Sequence, residues 1–320
     1  MKSLKLLIPG VPVYILFCLG GSGFSSCTKT NTIHDTTTVN IHDTTTVNIH
    51  DTTTIKDTVV INDTVMSKIT KGLIAYYNFN GGNLNDSSGN SNNIVFSNAT
   101  PTADRFGNPN NAFLFDGYSS YMQVTNSASL NPNNITMYAI VKPLGFYQGS
   151  CHGNSILTKG WPDYANGFYT LRFYPLDNDA GGGVCAANPD TTQEFFGGGF
   201  GDNSPAFGYG APGTSSSDSV YIQKNQWYTI AFTYDGSTAR FYVNGALASS
   251  VPITGGITFT PNSFDLFFGQ TGSTQYPYYF KGVIDEIRIY NRALTNQETD
   301  YLDIMRSKYL RSKTTNVTIY

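Results

Sequence analysis

The chain has 320 residues and a formal net charge of -3. It shows no basic stripe interleaved with aromatics, so neither nucleic acid nor an acidic lipid surface is an expected partner. Aromatics make up 14%, with 22 Tyr, 21 Phe and 32 Gly, and only 13% of residues are charged; this favours strands and turns over long helices and makes all-β the leading class.

Lys2 and Lys5 precede an apolar run from Leu6 to Leu19, then small residues and Cys27, the pattern of a secretory signal. Pro9, Gly10 and Pro12 interrupt the run and leave it too short for a membrane-spanning helix. "GFSSC", Gly23 to Cys27, resembles the lipobox of bacterial lipoproteins, with Phe24 where leucine is commonest. That resemblance implies lipidation of Cys27 and a membrane contact through the N-terminal anchor only; the alternative is an ordinary cleaved signal. With Cys18 in the signal and Cys27 lipidated, Cys151 and Cys185 remain as a candidate disulfide, which their spacing neither supports nor excludes.

Residues 33–56 repeat one octad three times, "IHDTTTVN", "IHDTTTVN" and "IHDTTTIK". Its polarity suits an extended, solvated spacer, while its β-branched density leaves an assembled fibrous stalk as the alternative. His34, His42 and His50 would stand over about 20 Å apart in an extended chain, too far to share one ion. Asp-Thr recurs with Thr or Val after it, which resembles an O-glycosylation acceptor of exported bacterial proteins and marks Thr36, Thr44, Thr52, Thr58 and Thr64 as candidate acceptors.

From Leu73 the texture changes to strand-length runs separated by Gly, Asn, Asp and Pro. The clearest are "LIAYYNFN", "NAFLFDG", "YMQVT", "ITMYAIVKPL", "GFYTLRFYP", "WYTIAFTYDGSTARFYVNGALASSV", "DLFFGQT" and "GVIDEIRIY". In the sixth, Asp235-Gly236 and Asn244-Gly245 predict hairpin turns and a three-stranded meander. Residues 176–219 read as a long glycine-rich loop, or as strands too glycine-rich to recognise. Thr295 with Glu298 forms a capping box that opens a short C-terminal helix. The expected fold is a two-sheet antiparallel sandwich.

"GLIAYYNFNGGNLNDSSGNSNN", "NAFLFDGYSSYMQV", "MYAIVKP", "WYTIAFTYDGSTARFYVNG" and "GVIDEIRIYNRALTNQE", in this order, resemble the concanavalin A-like jelly roll of the laminin G-like type. The organisation implied is a lipoprotein signal over 1–27, a stalk over 28–69, the jelly roll over 70–305 and a tail over 306–320. The protein is then expected to be exported and lipid-anchored, at the outer membrane and cell surface or on the periplasmic face.

Two groups of residues carry candidate chemistry. In "GVIDEIRIY" strict alternation would put Asp285 on one face with Val283, Ile287 and Ile289, a costly place for a bare carboxylate. The resemblance implies a structural calcium there, held by Asp285 with Asn80 and Asp116; the alternative is hydrogen bonding to loop amides or an arginine such as Arg105. "DSSGNSNN", Asp86 to Asn93, reads as a turn. Trp227 heads a core-like strand and reads as packing. Trp161 and Tyr164 in "KGWPDYANG" stand in a loop with Asp163 and Asn166, and with Tyr276 and Tyr278 in "TQYPYYF" they form a candidate carbohydrate-binding set. A loop aromatic plugging the sandwich edge is the competing account.

A jelly-roll glucanase would carry Glu-x-Asp-x-x-Glu on one strand, and no such run occurs; alternation also puts Asp285 and Glu286 on opposite faces. His152 stands alone outside the repeat, so no Ser/His/Asp set is credible. The expectation is a non-catalytic, lectin-like module whose partner is a glycan. The alternatives are an adhesion or assembly protein that binds a surface protein, and a glycoside hydrolase with an unrecognised site.

Overall fold

The computed structural model describes residues 3–8, 11–16, 29–33, 43–47, 69–145, 153–160, 167–175, 193–202, 221–253 and 258–303. The chain divides into two compact units, Met1–Ile69 and Thr70–Tyr320. In the first, β1 (Ser3–Ile8) pairs antiparallel with β2 (Val11–Leu16), and β3 (Lys29–Ile33) with β4 (Asp43–Val47). Thr44 falls on β4, whereas Cys27, Thr36, Thr52, Thr58 and Thr64 lie outside the described residues, as do Cys151 and Cys185. Among the described residues no helix is long and apolar enough to cross a membrane.

The second unit is a sandwich of two antiparallel sheets. Its strands are β5 (Leu73–Tyr77), β6 (Ile94–Ser97), β7 (Thr100–Thr102), β8 (Ala112–Asp116), β9 (Met122–Val124), β10 (Ile135–Pro143), β11 (Asn154–Lys159), β12 (Phe168–Pro175), β13 (Gln193–Gly201), β14 (Tyr221–Gln223), β15 (Tyr228–Tyr234), β16 (Thr238–Val243), β17 (Ala246–Pro252), β18 (Leu266–Phe268) and β19 (Lys281–Tyr290). One sheet runs β17-β16-β15-β10-β19-β8-β7, with β5 also on β19; the other runs β14-β13-β12-β11-β18-β9-β6. Neighbours in space are often distant in sequence, as expected of a jelly roll.

Period-two alternation builds the core. Ile135, Met137, Ala139 and Val141 of β10 and Ile230, Phe232 and Tyr234 of β15 meet Tyr169, Leu171 and Phe173 of β12 and Leu266 and Phe268 of β18 in one buried cluster. Each large side chain so buried contributes roughly 1.5–3 kcal/mol. The glycine-rich stretch contains a strand, β13, whose Phe196 and Phe200 are core residues. Between them Gly198 leaves room for Phe232: a Cβ there would lie 2.9 Å from that ring.

The meander turns behave as their residues predict. Asn244 and Gly245 both have positive φ, 51° and 76°, the geometry that two-residue hairpins demand. After β19, Thr295 N–H donates to Glu298 Oε2 at 2.8 Å and Glu298 N–H to Thr295 Oγ1 at 3.3 Å, a reciprocal capping box. The helix it opens, 296–303, docks on the first sheet: Tyr242 donates to Asn296 at 2.6 Å and Thr229 to Asp303 at 2.7 Å.

Strict alternation fails in β19, and the expected face of Asp285 is corrected. Glu286 opposes Ile140 while Ile284 opposes Val141, so Asp285 is the extra residue of a bulge. Ile284, Ile287 and Ile289 are the core residues, whereas Val283 is outside the core cluster. Asp285 and Glu286 together occupy the step between two core-facing isoleucines rather than opposite faces of a regular strand.

Candidate functional site

At the bulge β19 also changes partners on its other side. Lys281 to Ile284 pair with β8 and Ile287 to Tyr290 with β5, which leaves Asp285 and Glu286 between the two ladders. The 103–111 loop reaches this gap, and Arg105 N–H lies 3.4 Å from Asp285 Oδ2. Asp285 is only 1% exposed. Glu286 serves a separate cluster, accepting from Arg288 Nε at 2.8 Å and Tyr76 Oη at 3.2 Å, with Arg288 over the Tyr76 ring.

The loop is ordered by Asp104, a buried carboxylate not singled out from the sequence. Its Oδ1 accepts from Phe106 and Asn108 N–H, and its Oδ2 from the Asn108 side chain. Asn80 opens the 3-10 turn Asn80–Gly82, which meets this loop through Gly81 N–H to Asn111 and Gly82 N–H to Asn110. Asn80 and Asp285 therefore adjoin the same loop.

Asp116 stands apart from Asp285. It pairs with Lys281, four residues from Asp285 and so about 13 Å away along β19; with oxygens needed at roughly 2.3–2.6 Å from a calcium ion, the two carboxylates are too far apart to share one. Its oxygens also have another task. Oδ1 accepts from Tyr118, Ser119 and Ser120 N–H at 2.8–2.9 Å, and Oδ2 from Ser119 Oγ at 2.8 Å. The slight burial of Asp116 works to raise its pKa, but these hydrogen bonds outweigh it and hold the carboxyl well below its ordinary value. Asp86 orders "DSSGNSNN" in the same way, accepting from Tyr76, Ser88 and Asn92 N–H.

The outer face of the second sheet is the other candidate region. Thr170 and Arg172 alternate with the core residues of β12, and Thr170 meets Thr158 at 2.7 Å, which meets Ser155 at 2.7 Å. These four polar side chains are buried. Phe168, the first residue of β12, packs with Tyr278 and half-buried Tyr276. The tyrosine rings are 6.1 Å apart, and the Arg172 guanidinium lies 5.7 Å from the Tyr278 ring. Tyr278 is 7% exposed, so it forms the base of the group and Tyr276 its more open part. Thr271 and Ser273 fix their loop by hydrogen bonds to Tyr276.

Trp161, Asp163, Tyr164 and Asn166 lie outside the described residues, but both stems of their loop are described. Before it, the fully buried Lys159 donates to Asn131 Oδ1 at 3.0 Å and to Asn262 Oδ1. Burial lowers the Lys159 ammonium to about 8, and the negative charge of Asp265 opposes the shift. After it, Gly167 N–H donates to Asp202 at 2.6 Å. A Cβ at Gly160 would lie 3.0 Å from Phe168 Cα, so the two stems converge on the residue that packs against Tyr278. Trp227 is half-buried at the head of β15.

A laminin G-type model, described as the concanavalin A-like lectin/glucanases superfamily, matches residues 116–299. The chain belongs to this superfamily. No curated protein matches it in sequence. Domain 4 of an extracellular arabinanase from Geobacillus stearothermophilus, solved with arabinotriose, is 22% identical with a TM-score of 0.46, over 72% of this chain and 98% of that one. The binding domain of botulinum neurotoxin serotype D is 14% identical, TM-score 0.49, over 76% of this chain and 53% of that one. The binding domain of Paraclostridial Mosquitocidal Protein 1 is 15% identical, TM-score 0.49, over 74% and 53%. This laminin G-like chain thus spans about half the length of the two toxin domains.

Proposed function

We propose that the jelly roll is a non-catalytic glycan-binding module of an exported lipoprotein, tethered through Cys27. The observation that carries this reading is the convergence of the Gly160 and Gly167 stems on Phe168, which packs with Tyr278 and Tyr276. It supports one aromatic group built from Tyr276 and the loop bearing Trp161 and Tyr164. Rigid stems hold a binding loop at low entropic cost, and tyrosine or tryptophan faces suit the apolar faces of sugar rings. Asp163 and Asn166 supply groups that read hydroxyls.

A glycan array probed with the purified protein tests the reading. Specific retention on defined glycans, lost in Trp161→Ala and weakened in Tyr276→Ala, is the expected result. Absence of retention on every glycan, with capture of a surface protein instead, would replace it with the adhesion reading. We also propose a structural calcium at Asp285, with Asn80 as a second ligand and the oxygens of the 103–111 loop completing the shell. The buried carboxylate at a gap between two ladders and the Asp104-ordered loop beside it support this assignment.

A further inference from the structure

The same outer face of the second sheet continues over β18, β9 and β6, and this far half carries a second aromatic group. Met122, Val124, Leu266 and Phe268 are core residues, so alternation turns Gln123 and Phe267 to the outer face. In β6 a register shift sets Ile94 opposite Val124 and Phe96 opposite Gln123, with Val95 as the additional residue. Val95 and Phe96 are accordingly 63% and 42% exposed. The Phe96 and Tyr121 rings are 4.8 Å apart at 31°, and Tyr121 and Phe267 are 6.2 Å apart at 51°. Tyr118, 82% exposed, stands beside this row on the same loop as Tyr121.

The rings sit on a built support. Asp116 gathers Tyr118, Ser119 and Ser120 N–H, and Asn98 accepts from Tyr121 N–H at 2.7 Å while donating to Ser119 O at 3.1 Å. Gly272, at φ +83°, lets Phe267 lie against the backbone: a Cβ there would be 2.6 Å from the ring. At the border Asp265 accepts from Gln123 Nε2 at 2.5 Å and Asn126 N–H at 2.8 Å. The Lys281 stem packs against Gly117. Asp116 and Asp265 are thus matched by two ammoniums, Lys281 near Asp116 and Lys159 near Asp265, and a border without net charge favours a neutral chain over a charged one.

We propose that Phe96, Tyr121 and Phe267, flanked by Tyr118, form a second carbohydrate-binding platform for a neutral polysaccharide. Phe96, the most exposed of the three rings, is held in place by Tyr121 and Phe267 and presents its open apolar face to a sugar ring, whose hydroxyls the bordering amide and phenol groups meet. This platform uses none of the side chains assigned to the first site. An extended chain that reached both would be held with avidity.

The test is retardation of the full chain in affinity gels containing mixed-linkage β-glucan, xylan, galactomannan or, as the anionic comparison, polygalacturonate. The expected result is retardation by at least one neutral polymer, with affinity reduced about tenfold in Phe96→Ala and in Tyr121→Ala, as for loss of an aromatic hot spot. Phe96 is exposed, so its truncation should leave the melting temperature nearly unchanged. Retardation abolished by Trp161→Ala but untouched by Phe96→Ala and Tyr121→Ala overturns the platform and keeps the first site. The reverse pattern keeps the platform and overturns the first site. Binding only to polygalacturonate, or to none of the four polymers, overturns the platform as well.

Discussion

Replacing Asp116 with alanine tests whether this carboxylate anchors a turn. The substitution removes four accepted hydrogen bonds, three from backbone N–H groups and one from Ser119. Because the site is exposed, water takes over much of what is lost, and the expected cost is that of losing one good cap, about 1–2 kcal/mol. For a domain of this size, that lowers the melting temperature by about 2–8 °C. The folded-state pKa is held below the ordinary carboxylate value, so Asp116 contributes its full stability above the unfolded-state value near about 4 and loses it as pH falls toward the folded value. Thermal unfolding of wild type and variant, followed by circular dichroism from pH 7 down to pH 3, should show a gap that narrows below about pH 4. A gap of constant size over that range, or none at pH 7, would refute the anchoring role.

The strands most open to sequence reading were those with one apolar row. In β10, β12 and β15 the core-cluster positions follow period two without interruption, and the Asn244-Gly245 turn sets the hairpin after them. β13 was obscured because glycine takes positions where a side chain would reveal the alternation, and at Gly198 the volume is filled from the other sheet by Phe232. Bulges were the second obstacle. Asp285 is displaced from the face that alternation assigns because Ile284 and Ile287 are both core residues, and an inserted step leaves no mark in composition.

The candidate sites divide similarly. Tyr276 and Tyr278 could be singled out because they crowd one short loop, yet only packing against Phe168 distinguishes the buried ring from the open one. Asp116 illustrates a chemical ambiguity: an aspartate before glycine can ligate a metal or collect the N–H groups of its own turn, and the register of β8 against Lys281 separates it from Asp285. Phe96, Tyr121 and Phe267 come from three separated segments. Their grouping follows from the order β18-β9-β6 and has no local signature.

Three further outcomes are expected. Glu298→Ala removes the capping box and the bidentate pair with Arg292, at 2.8 and 2.9 Å, and should cost about 1–2 kcal/mol in urea unfolding; an unchanged midpoint would contradict the role of the cap. Fatty-acid labelling of the exported protein should disappear in Cys27→Ala, and equal labelling of both forms would remove the anchor. Calcium at Asp285 predicts a melting temperature that rises with calcium concentration and falls in excess chelator, since a ligand that binds only the native state stabilises it by mass action. Asp285→Asn should flatten that response, whereas Asp116→Ala should lower the melting temperature equally with calcium and with chelator, because register keeps Asp116 from sharing the ion. A chelator-independent melting temperature in the wild type would mean that the bulge is satisfied by protein groups alone, with the Arg105 N–H contact to Asp285 as part of that arrangement.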